Sequence, residues 1–226
     1  MYQKLRVVER KALRAILKLR SGTANDLILH ELRRGDIISK IRDRQYKFYR
    51  KIRDIPDGEA IVQNVLEICK NDRIIKYYES LHDHNNVDDI NEREARIHIS
   101  TKSLTKYYAE MNFSKISVIY CSFLDDNLRS IITRWRLSNH DLNIQKGRYN
   151  SESERKERQE RVCALCNVLE DEQHVIFDCK KYNDLRVKYM DLLTETGNIK
   201  QFLDPTLENT CRTATFILEV EAHRKK

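Results

Sequence analysis

Apolar residues recur along this chain mostly at helical intervals. In the first twenty residues Leu5, Val8, Ala12, Ile16 and Leu19 share one face of a 3.6-residue repeat, which predicts an amphipathic helix stopped by Ser21-Gly22-Thr23. A short helix over 24–34 ends at Gly35. Asp36 can cap a third helix reaching Arg53, and Pro56-Asp57-Gly58 breaks the pattern. Ile61, Val65, Ile68, Ile75 and Tyr78 predict a helix over 59–81, interrupted at Asn71-Asp72 and followed by a polar connector from His82. Helices over 92–111 and 115–136 come next, with Tyr120, Phe123, Leu124, Ile131 and Trp135 as core. Residues 137–150 alternate and contain Gly147, so they read as extended or looped chain. Beyond the charged run 151–161, Tyr182, Leu185, Tyr189 and Leu192 mark one face of a further helix.

Composition reinforces the helical reading. The 226 residues include only 5 Gly and 2 Pro, with 34% charged side chains and a mean hydropathy of -0.68, which describes a turn-poor, water-soluble protein. No apolar run is long enough to span a bilayer, and the N-terminus lacks the apolar core of a secretory signal. An intracellular setting, nucleus or cytoplasm, with no membrane partner, is the expectation.

Charge changes the picture. Residues 1–53 hold 16 Lys or Arg against 5 Asp or Glu, a balance of +11, which leaves −4 for residues 54–226 of a chain whose total is +7. A basic amphipathic N-terminus also suits a presequence or a membrane-surface helix, but neither accounts for basic character that continues this far. Clustered cations gain free energy by displacing counterions from a polyanion, so RNA or DNA is the expected partner. Arg42, Arg44, Lys47, Arg50 and Lys51 are the candidate contacts in this region. Tyr46, Phe48 and Tyr49 lie among them, where they either stack on unpaired bases or belong to the core.

Three of the six cysteines fall within seventeen residues together with a histidine. Cys163, Cys166, His174 and Cys179 have the spacing C-x2-C-x7-H-x4-C, which can close a tetrahedral Zn²⁺ site. A redox C-x-x-C needs a βαβ setting and a disulfide framework needs an oxidising compartment; the sequence suggests neither. Four ligands leave no open position on the metal, so the zinc is structural. Val162, Val168, Val175, Ile176 and Phe177 are expected to cap it. Glu172 or a backbone carbonyl can orient His174. Cys69, Cys121 and Cys211 stand alone and read as small buried hydrophobes. Glu170-Asp171-Glu172 adds negative charge to the ligand loop, which repels phosphate.

Catalytic signals are weak. Phe123-Leu124-Asp125-Asp126 has the look of a polymerase carboxylate pair, but it lies in a helical pattern without flanking strands, and both aspartates read as exposed helix residues. His140 reads as a capping or core residue. The expectation is a protein that is not an enzyme.

Two runs carry a resemblance. RWRLSNHDLNIQKGRYN and ERVCALCNVLEDEQHVIFDCKKYNDLR resemble the carboxy-terminal region of non-LTR retrotransposon reverse transcriptases, in which a CCHC zinc knuckle follows the polymerase. Arg136, Leu137, His140, Leu142, Ile144, Gly147, Arg148 and Tyr149 match the segment before the knuckle, and Tyr182 and Arg186 match its exit. Fingers, palm and endonuclease cores are missing from the sequence, so it looks like a fragment or domesticated tail rather than a working polymerase. The resemblance implies zinc ligation by Cys163, Cys166, His174 and Cys179. It also implies nucleic-acid contact by Arg148, Arg155, Lys156, Arg161, Lys180 and Lys181, and the rest of a retrotransposon polyprotein as a further partner. The reading is a mainly α fold, with a helical region over 1–136 and a CCHC zinc-knuckle module with flanking helices over 137–226. Its function is nucleic-acid binding. The alternative is a zinc-stabilised protein-interaction module whose acidic loop meets a basic partner.

Overall fold

In a computed structural model of the chain, residues 2–20, 23–32, 34, 37–53, 64, 67, 106–109, 117–120, 124–149 and 155–225 are described. The fold is mainly helical, and no described helix is long and apolar enough to cross a membrane. The expected helices over 59–81 and 92–111 lie almost wholly outside the described residues, as do Cys69, Cys121 and Phe123.

Helix α1 (Tyr2–Ile16) ends before its apolar spacing does. Lys18 takes the left-handed conformation, φ 51°, and Leu19 N–H returns to Arg14 O at 2.9 Å, a helix stop made without glycine. The Arg14 guanidinium then donates to Thr23 O at 2.9 Å and to Asn25 Oδ1, which fixes α2 (Asn25–Glu31) on that side of α1. Leu13 and Leu17 are therefore the residues buried, against Ile28. Of the apolar stripe that the sequence spaces along one face, Leu5, Val8, Ala12 and Ile16 are exposed, and Leu19 is half-buried against the core. Helix α3 (Ile37–Arg53) packs on α1, and Glu9 of α1 accepts Ile37 N–H at 3.1 Å.

After α4 (Lys106–Ala109), the helix expected over 115–136 is two pieces, a 3-10 turn at Val118–Tyr120 and α5 (Asp126–Arg136). Asp125 is the N-cap of α5, accepting Asn127 N–H at 2.8 Å, and Asp126 pairs with Arg129 at 2.7 Å. Both aspartates are exposed. The segment read as extended or looped contains a helix, α6 (Asn143–Tyr149). Its N-terminus is satisfied from 27 residues downstream, where Glu170 accepts Asn143 N–H at 2.8 Å. No local pattern reveals a cap supplied from that distance.

The last third holds α7 (Asn183–Lys188), α8 (Met190–Thr196), α9 (Ile199–Leu203) and α10 (Thr210–Arg224). Tyr182, Leu185, Tyr189 and Leu192 are all buried, as their spacing predicts, but the single helix expected there is divided into a 3-10 turn at Lys180–Tyr182, α7 and α8, with Tyr189 at the break between the two helices. Phe216 of α10 meets Tyr189 and Phe202 edge-on, each at a ring-centroid distance of 5.5 Å. Helix α10 also packs on α5, and one hydrophobic cluster includes Leu27, Tyr108, Ile132 and Trp135 together with Val175, Ile176, Phe202 and Ile217. Residues from both sides of Leu137 thus contribute to a shared core.

Charge is buried at its base. Arg136 donates to both carboxylate oxygens of Glu31, at 2.7 and 3.2 Å, to Leu203 O at 2.6 Å and to Asp204 at 2.8 Å. Tyr120 adds a hydroxyl donor to Glu31 at 3.0 Å. Burial alone would raise the Glu31 pKa; the Arg136 charge and these hydrogen bonds outweigh it and hold the carboxyl below its usual range. A depressed folded-state pKa contributes stability that is present above the unfolded value, about 4.3, and lost as pH falls through the folded value. Thermal melts should therefore show an acid limb below about pH 4, and Glu31→Gln should flatten that limb while lowering stability at neutral pH.

Candidate metal centre

The segment 161–179 builds the site from a tight bridge and a wide helical turn. Val162 and Leu169 form an antiparallel bridge, closed by Cys163 N–H to Val168 O at 2.7 Å and Glu170 N–H to Arg161 O at 3.0 Å. At its tip Asn167 adopts φ 55°, a left-handed conformation that asparagine tolerates better than most residues. Its N–H returns to Cys163 O at 2.8 Å. The C-x2-C pair is folded into that turn.

His174–Asp178 is a π-helical turn, and Cys179 N–H donates to His174 O at 2.7 Å. Five residues along an ordinary α-helix would point two side chains about 140° apart. The wider turn brings His174 and Cys179 to the same side. Asp171 starts it by accepting His174 N–H at 3.0 Å.

All four donor atoms lie within 4.8 Å of one another. Cys179 Sγ stands 3.7 Å from that of Cys163 and 3.8 Å from that of Cys166. The His174 side chain is buried, and among the described residues its Nε2 has no hydrogen-bonding partner. A buried nitrogen left so costs about 1–3 kcal/mol, a penalty that metal ligation of the imidazole removes. Three thiols and this imidazole fit a metal ion.

Backbone N–H groups are aimed at the sulfurs. Burial pushes the Cys163 thiol up, but the His174 ring and the N–H groups of Cys166 and Leu165 outweigh it and lower its pKa. The Lys180 N–H lowers Cys166. Cys179 is pushed up to about 12, first by burial and then by the neighbouring sulfurs, despite the Lys181 N–H. Like charges this close cannot all ionise without a cation among them. A divalent ion held by the four side chains would supply that charge.

The three acids of the ligand loop face inward, contrary to the expectation of a repulsive loop. Glu170 is buried, ion-paired with Arg224 of α10 and capping α6. Asp171 accepts the Tyr107 hydroxyl at 3.2 Å. Glu172, expected to orient His174, instead takes His140 Nε2 at 2.7 Å and the Ser138 hydroxyl at 2.9 Å. His140 is a buried core residue, in tilted contact with Trp135 at 5.0 Å. The acids are thus the joint between the metal loop and the helical body, and neither phosphate nor a basic partner meets free carboxylates on Glu170 and Glu172. Of the apolar cap, Val175 and Ile176 are fully buried and Val162 and Phe177 half-buried, whereas Val168 is exposed. Cys211, expected in the core, is exposed on α10.

The basic candidates divide. Arg44, Lys47, Lys51, Arg155, Lys156, Lys180 and Lys181 are exposed, while the side chains of Arg42, Arg50 and Arg148 lie outside the described residues. Arg161 is half-exposed and tied to the backbone. Its guanidinium donates to Ile144 O at 3.0 Å and to Lys156 O at 2.8 and 3.0 Å, completing backbone acceptors beside the metal loop. Gly147 makes room for it, since a Cβ there would stand 2.9 Å from Arg161 Cγ. Gly147→Ala should displace Arg161 and lower stability by about 1–2 kcal/mol, read as a drop of a few degrees in Tm. Among the aromatics, Tyr46 is buried and Phe48 is 65% exposed; the Tyr49 side chain is outside the described residues.

No protein-family model, curated protein or solved structure matches the chain.

Proposed function

We propose that this chain is a non-catalytic nucleic-acid-binding module whose Cys163, Cys166, His174 and Cys179 hold one structural Zn²⁺. A regular tetrahedron with Zn–S bonds of about 2.3 Å has S···S edges of about 3.8 Å. The sulfur separations of 3.7 and 3.8 Å agree with that geometry. Four protein ligands leave the ion no open position for water, so it folds the chain and turns over no substrate.

One observation carries the nucleic-acid reading. Arg44, Lys47, Phe48 and Lys51 follow the i, i+3, i+4, i+7 spacing of a single helical face, and all four are exposed. A row of cations around an exposed aromatic ring suits a single strand, whose phosphates meet the charges while an unpaired base stacks on the ring. The resemblance to the tail of non-LTR reverse transcriptases favours element RNA or target DNA as the strand, and the remainder of such a polyprotein as a partner.

Binding of a mixed-sequence single-stranded RNA, titrated against salt, tests this. Replacing Arg44, Lys47 and Lys51 together by Gln should reduce the salt slope by about 2, at about 0.7 per lost contact. Phe48→Ala should weaken binding by about 1–3 kcal/mol and leave the slope unchanged. If these variants bind like the parent while neutralising Lys180 and Lys181 abolishes binding, the contact belongs to the metal loop and α3 carries only a solvated face.

A further inference from the structure

Helix α1 turns an apolar face to solvent. Leu5, Val8, Ala12 and Ala15 are spaced 3, 4 and 3 residues apart, the heptad seam of a coiled coil, and Ile16 adjoins them. All five are exposed, with Val8 at 64% and Ile16 at 71%. Among the described residues the contacts of α1 use other sides: Leu13 packs with Leu17 and Ile28, Arg14 reaches α2, and Glu9 accepts Ile37 N–H where α3 packs. The stripe is thus the helix's hydrophobic face by sequence and an exposed face that no described residue is shown to cover.

Charge decides what fits it. Between Tyr2 and Ile16 the helix carries Lys4, Arg6, Arg10, Lys11 and Arg14 against Glu9 alone, and Lys4 and Lys11 are exposed along one edge of the stripe. A second copy would set like charge against like charge. An anionic membrane would suit the charge, but the stripe is built from Leu, Ile, Val and Ala, and the two alanines favour close helix approach over insertion of bulky anchors among lipids.

We propose that the outer face of α1 is a docking seam for an acidic amphipathic helix of another protein, with apolar residues against Leu5, Val8, Ala12, Ala15 and Ile16 and carboxylates against Lys4 and Lys11. The seam residues of α1 are distinct from Arg44, Lys47, Phe48 and Lys51 of α3, which the nucleic-acid reading uses, so separate substitutions let the two fail separately.

The test uses the full chain and a synthetic helical peptide of about three heptads with leucine at a and d and glutamate at e and g. Mutual repulsion of its glutamates keeps this peptide from pairing with itself, so it responds to a basic seam. The parent chain should bind it, and a Val8→Asp, Ile16→Asp variant should bind at least tenfold more weakly with an unchanged circular dichroism spectrum. A peptide with lysine in place of glutamate should not bind. Equal binding by parent and variant would reduce the contact to net charge and overturn the proposal. It is equally overturned if the peptide fails to bind, if sedimentation shows the stripe closing a dimer, or if phosphatidylserine vesicles bind through Val8 and Ile16 and the peptide does not.

Discussion

Cys179→Ser is expected to unfold the protein well beyond the metal loop. Structural zinc contributes on the order of 10 kcal/mol in small modules, comparable with the whole stability of an ordinary domain, about 5–15 kcal/mol. Cys163 and Cys179 belong to the same buried cluster as Val175, Ile176, Trp135 and Leu27, so the loss reaches residues on both sides of Leu137. Trp135 is the single tryptophan and is almost wholly buried, which makes it the reporter. In Cys179→Ser, or in the parent protein treated with a strong chelator, its emission should shift to the red and helical circular dichroism should fall. A variant that lost metal but kept native tryptophan emission would confine the metal's role to the loop. The small cluster of Leu13, Leu17 and Ile28 is separate and should survive longest.

The second large effect is expected at Arg136. Its guanidinium is buried with Glu31, and removing it leaves that carboxylate without its counter-charge and Leu203 O without its donor. Breaking such a pair costs about 3–5 kcal/mol. Arg136→Ala should lower the urea midpoint accordingly, whereas Arg136→Met combined with Glu31→Met should recover much of the loss, because no fully buried carboxylate is left unpaired and Asp204 is partly solvated. A double variant no better than the single one would mean that the hydrogen bonds of Arg136 to Leu203 O and Asp204, rather than its pairing with Glu31, carry the stability.

Much of this was legible in the sequence, and the gaps have physical causes. The candidate ligand set is visible because metal chemistry demands particular residue types at close spacing, and those four side chains do converge. The face formed by Tyr182, Leu185, Tyr189 and Leu192 is visible because burial imposes a helical period. The same period misleads at α1. An apolar stripe shows which face is hydrophobic, while the turn at Lys18 and the reach of Arg14 decide which face the rest of the chain covers. Helix α6 was hidden for another reason, its cap at Glu170 being long-range and its short apolar pair, Leu142 and Ile144, having a strand-like spacing. The acids of the ligand loop appeared as surface charge because their partners, Arg224, Tyr107 and His140, lie between 32 and 64 positions away in sequence. The Arg136 to Glu31 pair spans 105 positions, and nothing local to either residue announces it.

X-ray absorption at the zinc edge, on protein folded with zinc and freed of loosely bound metal, tests the central claim most directly. The four-ligand centre predicts about one zinc per chain, with three sulfurs at about 2.3 Å and one nitrogen at about 2.0–2.1 Å. Fully folded protein without tightly bound zinc, or a shell dominated by oxygen and nitrogen, would contradict it.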